Sequence, residues 1–190
     1  MGFAKVGWLH GFADALKPGF EHMEAARHGC YINENDVTPS MAKTVIRHAV
    51  TADFDTLLQI DQASFAGNVA YNAAELSYFM RRDGAETLVL EEDGKIVAFL
   101  ILEMHNTRRS GTIVTLDVRE THRRNGYGSQ LLKRAERILA EYGAEAYDLQ
   151  VDVTNRSAIN FYKKHGFRRL RTIPHYYANG NDAYLMVKEL

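Results

Sequence analysis

Apolar positions along this chain follow two rhythms. Residues 111–118, Gly-Thr-Ile-Val-Thr-Leu-Asp-Val, are rich in β-branched side chains and read as a strand. From Ser129 the spacing changes: Leu131, Leu132, Ala135, Ile138, Leu139 and Tyr142 recur at helical intervals, polar residues lie between them, and Gly143 supplies a stop. Residues 146–153 alternate again as a strand, and a short helical stretch starts near Asn155 and ends at Gly166. Upstream, residues 45–49 read as a first strand. Asp53 is placed to cap a helix bearing Leu57, Leu58 and Ile60, and a second helix carries Leu76, Phe79 and Met80. Residues 87–90 and 95–104 flank Asp93-Gly94, a two-residue hairpin signal, and residues 167–172 and 183–187 supply the last strands.

The junction of the first two of these segments carries the chemistry. Arg123-Arg124-Asn125-Gly126-Tyr127-Gly128 sits between a strand and a strongly amphipathic helix. A helix N-terminus presents unpaired N–H groups and the positive end of the macrodipole, and glycines let a pyrophosphate approach that backbone. Two glycines after a strand also describe an ordinary loop with a solvated arginine pair. The residues downstream separate the two readings: a second strand, then Asn155 with Ala158, Tyr162 and Gly166-Phe167. Both motifs, in this order and at this separation, resemble the GNAT superfamily of acetyl-CoA-dependent N-acetyltransferases over about residues 44–190. Glu120 departs from the pattern, since many members carry proline there; that changes a turn and no ligand.

The resemblance implies an α/β (α+β) fold: a mixed, mostly antiparallel sheet of about seven strands, splayed between strands 4 and 5 and flanked by about four helices. It implies that the pantetheine arm of acetyl-CoA inserts between those two strands, here residues 112–118 and 146–152, and meets backbone atoms of Leu116 and Val118. The pyrophosphate then rests on Arg123, Arg124, Asn125, Gly126, Tyr127, Gly128 and Ser129, with Asn155 meeting the arm by side chain and Ser157 beside it. Tyr162 would face the thioester sulfur and protonate the departing thiolate. Without its motif, a tyrosine on an amphipathic helix reads as a half-buried core residue. The two helices after the first strand would form the lid over the acceptor site.

Composition bounds the rest. With 190 residues, 46% hydrophobic and 25% charged, the chain has the mass for one good core, and a single acetyltransferase domain over residues 43–190 is the simplest count. A net charge of −1 gives no basic footprint for nucleic acid, and no stretch is long and apolar enough for a membrane helix, so a cytoplasmic location is expected. The lone Cys30 excludes an internal disulfide framework, and no Cys/His grouping has metal-ligand spacing, so no metal is expected. Residues 1–42 form an extension outside the resemblance. It lacks the apolar core of a signal peptide, yet Trp8, Leu9, Phe12, Leu16 and Phe20 recur at roughly helical spacing, the pattern of a short amphipathic helix docking on its own domain or on a sister subunit in a homodimer.

The acceptor is read from residues 173–183, where Tyr176-Tyr177 precedes a glycine turn. This resembles the protein N-terminal acetyltransferases, including the ribosomal-protein alanine N-acetyltransferases, and implies that Tyr176 and Tyr177 line a peptide groove. In those relatives a glutamate or histidine base occupies the strand position that is Gln150 here, and a carboxamide cannot take a proton. Alternation makes Asp152 the nearest carboxylate on that strand, with Asp117 and Glu103 plausible from neighbouring strands. Deprotonating an α-amine of pKa near 8 at pH 7 costs about 1.4 kcal/mol, against about 4.6 for lysine, so a weak or absent base favours α-amines. The expected reaction is direct transfer to a peptide α-amine, with backbone N–H near Val118 polarising the thioester oxygen and Tyr162 as acid. Acetylation of a small-molecule amine and an acyl-CoA sensor with little turnover remain alternatives.

Overall fold

The computed structural model describes residues 42–65 and 69–190. Its seven strands, β1 (Thr44–His48), β2 (Ala85–Glu92), β3 (Lys95–His105), β4 (Ser110–Val118), β5 (Ala146–Asp152), β6 (Arg168–Ile173) and β7 (Ala183–Glu189), form one sheet in the order β1-β2-β3-β4-β5-β7-β6. Every neighbouring pair is antiparallel except β4 with β5. A parallel pair requires a crossover, which the helix α3 (Tyr127–Glu141) provides. Asp93 and Gly94 both have positive φ, 48° and 77°, and put Glu92 opposite Lys95 in the tight hairpin expected there.

Helices cover both faces. On one side α1 (Phe54–Ser64) and α2 (Ala73–Arg81) bury Leu57, Ile60, Leu76 and Phe79 against Val89, Phe99, Ile101 and Val114. On the other, α3 and α4 (Arg156–Lys164) bury Leu131, Leu132, Leu139, Ala158 and Tyr162 against Leu100, Leu116, Leu149 and Val151. This double cover explains why β3 and β4 are buried along nearly their whole length. Among the described residues, no helix is long and apolar enough to cross a membrane. The extension read over residues 1–42 lies almost wholly outside the described residues.

Two local expectations change. Tyr142 is half-exposed, because α3 ends at Glu141 and the apolar stripe ends with it. Asp53 occupies the N-cap position of α1 but does not cap it. Its carboxylate accepts from the Val50 N–H at 2.8 Å and from the Arg47 guanidinium at 2.7 and 3.1 Å. Arg47 also binds Glu91 at 2.6 Å, so one half-buried guanidinium ties the start of α1 to β1 and β2 and holds the Asp53 carboxyl below its usual range.

Gly111 lets α3 approach β4 closely. A Cβ there would stand 2.3 Å from Leu139 Cδ2 and 3.3 Å from the Glu103 carbonyl oxygen. Gly111→Ala is therefore expected to cost about 1–3 kcal/mol by overpacking, read as a lower thermal midpoint by scanning calorimetry. An unchanged midpoint would show that Leu139 has room to swing aside.

Candidate active site

The parallel pairing of β4 with β5 runs from Ser110↔Ala146 to Ile113↔Leu149 and stops. Residues 114–118 stay on β3, with Val118 opposite Ala98, whereas residues 150–152 stay on β7, with Asp152 opposite Ala183. The sheet therefore opens as a fork. Arg119 donates its N–H to the Val97 carbonyl at 2.8 Å on the β3 side, so by strand alternation the main-chain groups of Leu116 and Val118 face the fork. Arg123 Nε donates to the Val118 carbonyl at 3.2 Å, leaving the Val118 N–H and the Leu116 edge for an extended arm.

The mouth of the fork meets the N-terminus of α3. Gly126 has φ +80°, and its carbonyl accepts the Gln130 N–H at 3.0 Å as the helix begins. The N–H groups of Tyr127, Gly128 and Ser129 precede the first intrahelical donor, Gln130, and point out of the helix end. A Cβ on Gly126 would meet nothing within 4 Å, whereas one on Gly128 would press within 3.3 Å of Phe161 and 3.8 Å of Leu116. One glycine leaves room for an anion; the other lets α3 dock on α4 and β4. Arg124 and Asn125 are exposed beside this end. These groups fit the pyrophosphate of a coenzyme A thioester, and the open edge of β4 fits its pantetheine arm.

Several side chains assigned to this turn have internal partners. The hydroxyl of buried Tyr127 donates to Glu92, which with burial raises its pKa, so Tyr127 offers the turn its backbone. Ser129 Oγ lies 2.9 Å from His165 Nε2, and His165 Nδ1 lies 2.8 Å from the Phe161 carbonyl. A carbonyl only accepts, so Nδ1 carries the hydrogen, and Nε2 pairs with the Ser129 hydroxyl. His165 went unrecognised in the sequence, where it is an isolated histidine near the end of a helix. Asn155 Oδ1 caps α4 by accepting the Ala158 N–H at 3.1 Å. Ser157 is exposed on the first turn of α4.

Tyr162 is fully buried, its ring packed edge-on against Phe161 and Phe167 at 5.2 and 5.3 Å. Burial, then the charge of Asp117 and the neighbouring Tyr177, push its pKa well above the ordinary phenol value. The hydroxyl therefore keeps its proton across the working pH range.

On β5, Tyr147, Leu149 and Val151 face the α3–α4 core, so Asp148, Gln150 and Asp152 share the opposite face. Gln150 is buried and is the point on which the tyrosine pair converges. Tyr176 donates its hydroxyl to Gln150 Oε1 at 3.1 Å, and Tyr177 donates to the Gln150 main-chain oxygen at 3.4 Å. The two rings stack edge-to-face at 5.0 Å over Ile173 and Leu185, and burial raises both pKa values, so both stay neutral donors. Of the acids considered from sequence, Asp152 spends one oxygen on the Thr154 N–H and hydroxyl, both at 2.7 Å, and the other on Asn181 at 2.8 Å. It holds the turn into α4. Asp117 is buried and accepts from Thr115, and Glu103 pairs with Arg82 at 2.8 Å.

Asp148 is the acid that sequence reading passed over. It lies at the closed end of the fork, opposite Thr112 in the register, and Gln150 Nε2 donates to it at 3.4 Å. Burial pushes its carboxyl up to about 6, partly offset by the hydrogen bonds from Thr112 and Gln150. The signal available in the sequence was the two-residue spacing to Gln150.

The profile of the Acetyltransferase (GNAT) family matches residues 54–167. An N-alpha-acetyltransferase of Sulfurisphaera tokodaii is 33% identical over 160 residues, covering 76% of this chain and 92% of that protein, and one of Sulfolobus acidocaldarius is 32% identical over the same spans. Among solved structures, Ard1 from Thermoplasma volcanium superposes with a TM-score of 0.71 at 28% identity, covering 77% of this chain and 97% of that one. The Escherichia coli ribosomal-protein-S18-alanine N-acetyltransferase shares the fold with a TM-score of 0.70 at 23% identity, over 77% of this chain and 94% of its own.

Proposed function

This chain belongs to the GNAT family of acetyltransferases, and from that premise we propose that the amine it acetylates is the free α-amine of a protein or peptide chain. Acetyl-CoA supplies the acetyl group as an activated thioester. Leu116 and Val118 present the backbone edge for its arm, and the α3 N-terminus with Arg124 receives its pyrophosphate. Tyr162 supplies the proton to the leaving sulfur. Gln150 with Tyr176 and Tyr177 receives the acceptor's first residues on the α1–α2 side of the fork. The reaction belongs in the cytoplasm, where acetyl-CoA and newly made chains coexist.

The observation that carries the acceptor assignment is the convergence of both tyrosine hydroxyls on Gln150, at 3.1 and 3.4 Å, where the two strands part. A polar pair fixed on a main-chain carbonyl and a carboxamide suits the repeating amides of a peptide better than an isolated cation. The names of the archaeal relatives point the same way. So does the cost of deprotonation: about 1.4 kcal/mol for an α-amine at pH 7 against about 4.6 for lysine.

The test is product mapping. A peptide carrying both a free N-terminus and an internal lysine is incubated with enzyme and acetyl-CoA, and the modified nitrogen is located by fragmentation mass spectrometry. Acetylation confined to the first residue is expected, and acetylation of the lysine alone would overturn the assignment.

A further inference from the structure

Gln150 stands at the open end of the fork, and its amide cannot accept the proton that the acceptor nitrogen must lose. We propose that this proton is collected by Asp148 and passed through Thr112 and His105 to solvent. The inference rests on the α-amine reading above and adds the route by which that reaction is deprotonated.

The geometry is continuous. Gln150 Nε2 lies 3.4 Å from Asp148 Oδ1, Thr112 Oγ1 lies 3.1 Å from the same oxygen, and His105 Nε2 lies 3.0 Å from Thr112 Oγ1. These groups sit on β5, β4 and β3 and so cross the sheet from the fork toward its surface. His105 is part-exposed, its side chain 27% accessible, and lies 3.9 Å from Glu103, which Arg82 holds at 2.8 Å. A hydroxyl donates once and accepts twice, so Thr112 can pass a proton either way. The other groups around Asp148 act on its charge: Arg108 stabilises the carboxylate, Glu103 opposes it, and Tyr176 adds its hydroxyl across Gln150. Burial raises the carboxyl to about 6, close enough to neutrality to gain and release a proton in each cycle.

Each bond and proton is accounted for. The amine lone pair forms a C–N bond to the thioester carbonyl carbon, and the carbonyl π pair moves to oxygen. The N–H proton made acidic by that bond crosses, through one bridging water, to the Asp148 carboxylate. The pair on oxygen returns, the C–S bond breaks, and the sulfur takes its proton from Tyr162. Asp148 then releases its proton through Thr112 and His105 to solvent, and the Tyr162 phenolate regains one from solvent.

The experiment is a pH profile of kcat with a free-N-terminus peptide at saturating acetyl-CoA. The wild type is expected to lose activity as pH falls through about 6, as Asp148 takes its proton. Asp148→Asn, which keeps the acceptor oxygen for Thr112 and Gln150, is expected to lower kcat about 100-fold and to remove that fall. Folding is checked by melting. A carboxyl raised from about 4 in the unfolded chain to about 6 in the fold contributes stability that is complete below pH 4 and lost as pH rises through 6. Asp148→Asn is therefore expected to melt no lower than wild type at pH 8.

Thr112→Val gives a second reading. It removes a hydrogen bond that lowers the Asp148 pKa, so the fall in activity should move to higher pH, and Thr112→Ser, which restores the hydroxyl, should return it. A wild-type profile in a folded Asp148→Asn enzyme would overturn the relay while leaving the acceptor reading intact. No wild-type turnover on any free-N-terminus peptide would overturn the acceptor reading and the relay with it.

Discussion

Tyr162→Phe is expected to lower kcat by about 100-fold or more while changing acetyl-CoA affinity by less than about twofold. The phenol is fully enclosed, between the rings of Phe161 and Phe167 and within electrostatic reach of Asp117, so the ring keeps its packing when only the oxygen is removed. Its raised pKa means that the proton is present at any working pH, and as the proposed acid it gives that proton to the sulfur as the C–S bond breaks. What the variant loses is an interaction made in the transition state and not in the ground state, and such a loss appears in kcat. Thiol release measures the rate, and calorimetric titration measures the affinity. Near-normal kcat would place the acid elsewhere; a large loss of affinity would make Tyr162 a wall of the binding site.

Tyr176→Phe combined with Tyr177→Phe should raise the acceptor KM about tenfold or more and leave the acetyl-CoA KM unchanged. Each hydroxyl bond to Gln150 is worth about 1 kcal/mol, and the edge-to-face ring packing over Ile173 and Leu185 survives the change. The loss falls on one substrate because Tyr176 bonds the Gln150 side chain, which faces away from the α3–α4 core, whereas the proposed coenzyme site is on the β4 edge and the start of α3. Steady-state kinetics with each substrate varied in turn reads the split. Equal rises in both constants would show that the pair supports the fork as a whole.

Much of this arrangement is legible in the chain because its signals are local. The change from β-branched alternation at residues 111–118 to helical spacing after Ser129 marks a strand, a turn and a helix from neighbours in sequence alone. Gly126 marks the left-handed turn into the helix, and Gly128 the close approach to Phe161 and Leu116 that the structure displays. What sequence does not carry is which of several like groups meets a distant partner. Asp53 looks like a helix cap until Arg47, six residues back, and Glu91, on another strand, claim its carboxylate. Asp152 looks as eligible as any acid on β5 until Asn181, from the far end of the β6–β7 loop, takes one oxygen. Asp148 looks like a surface alternation residue until β4 is laid beside it and brings Thr112 to 3.1 Å. Ser129 and His165 are thirty-six positions apart and meet only because α4 packs against the start of α3.

The central claim is acetyl transfer from acetyl-CoA to a peptide α-amine, and the most direct measurement is kcat/KM by thiol release. The acceptors are a peptide with a free N-terminus, the same peptide blocked at its N-terminus but bearing lysine, and a set of small amines. A kcat/KM for the free N-terminus at least about tenfold above the others is the result predicted, in line with the difference of about 3 kcal/mol in deprotonation cost between the two kinds of amine. Equal or faster release with the blocked peptide or with the small amines would contradict it.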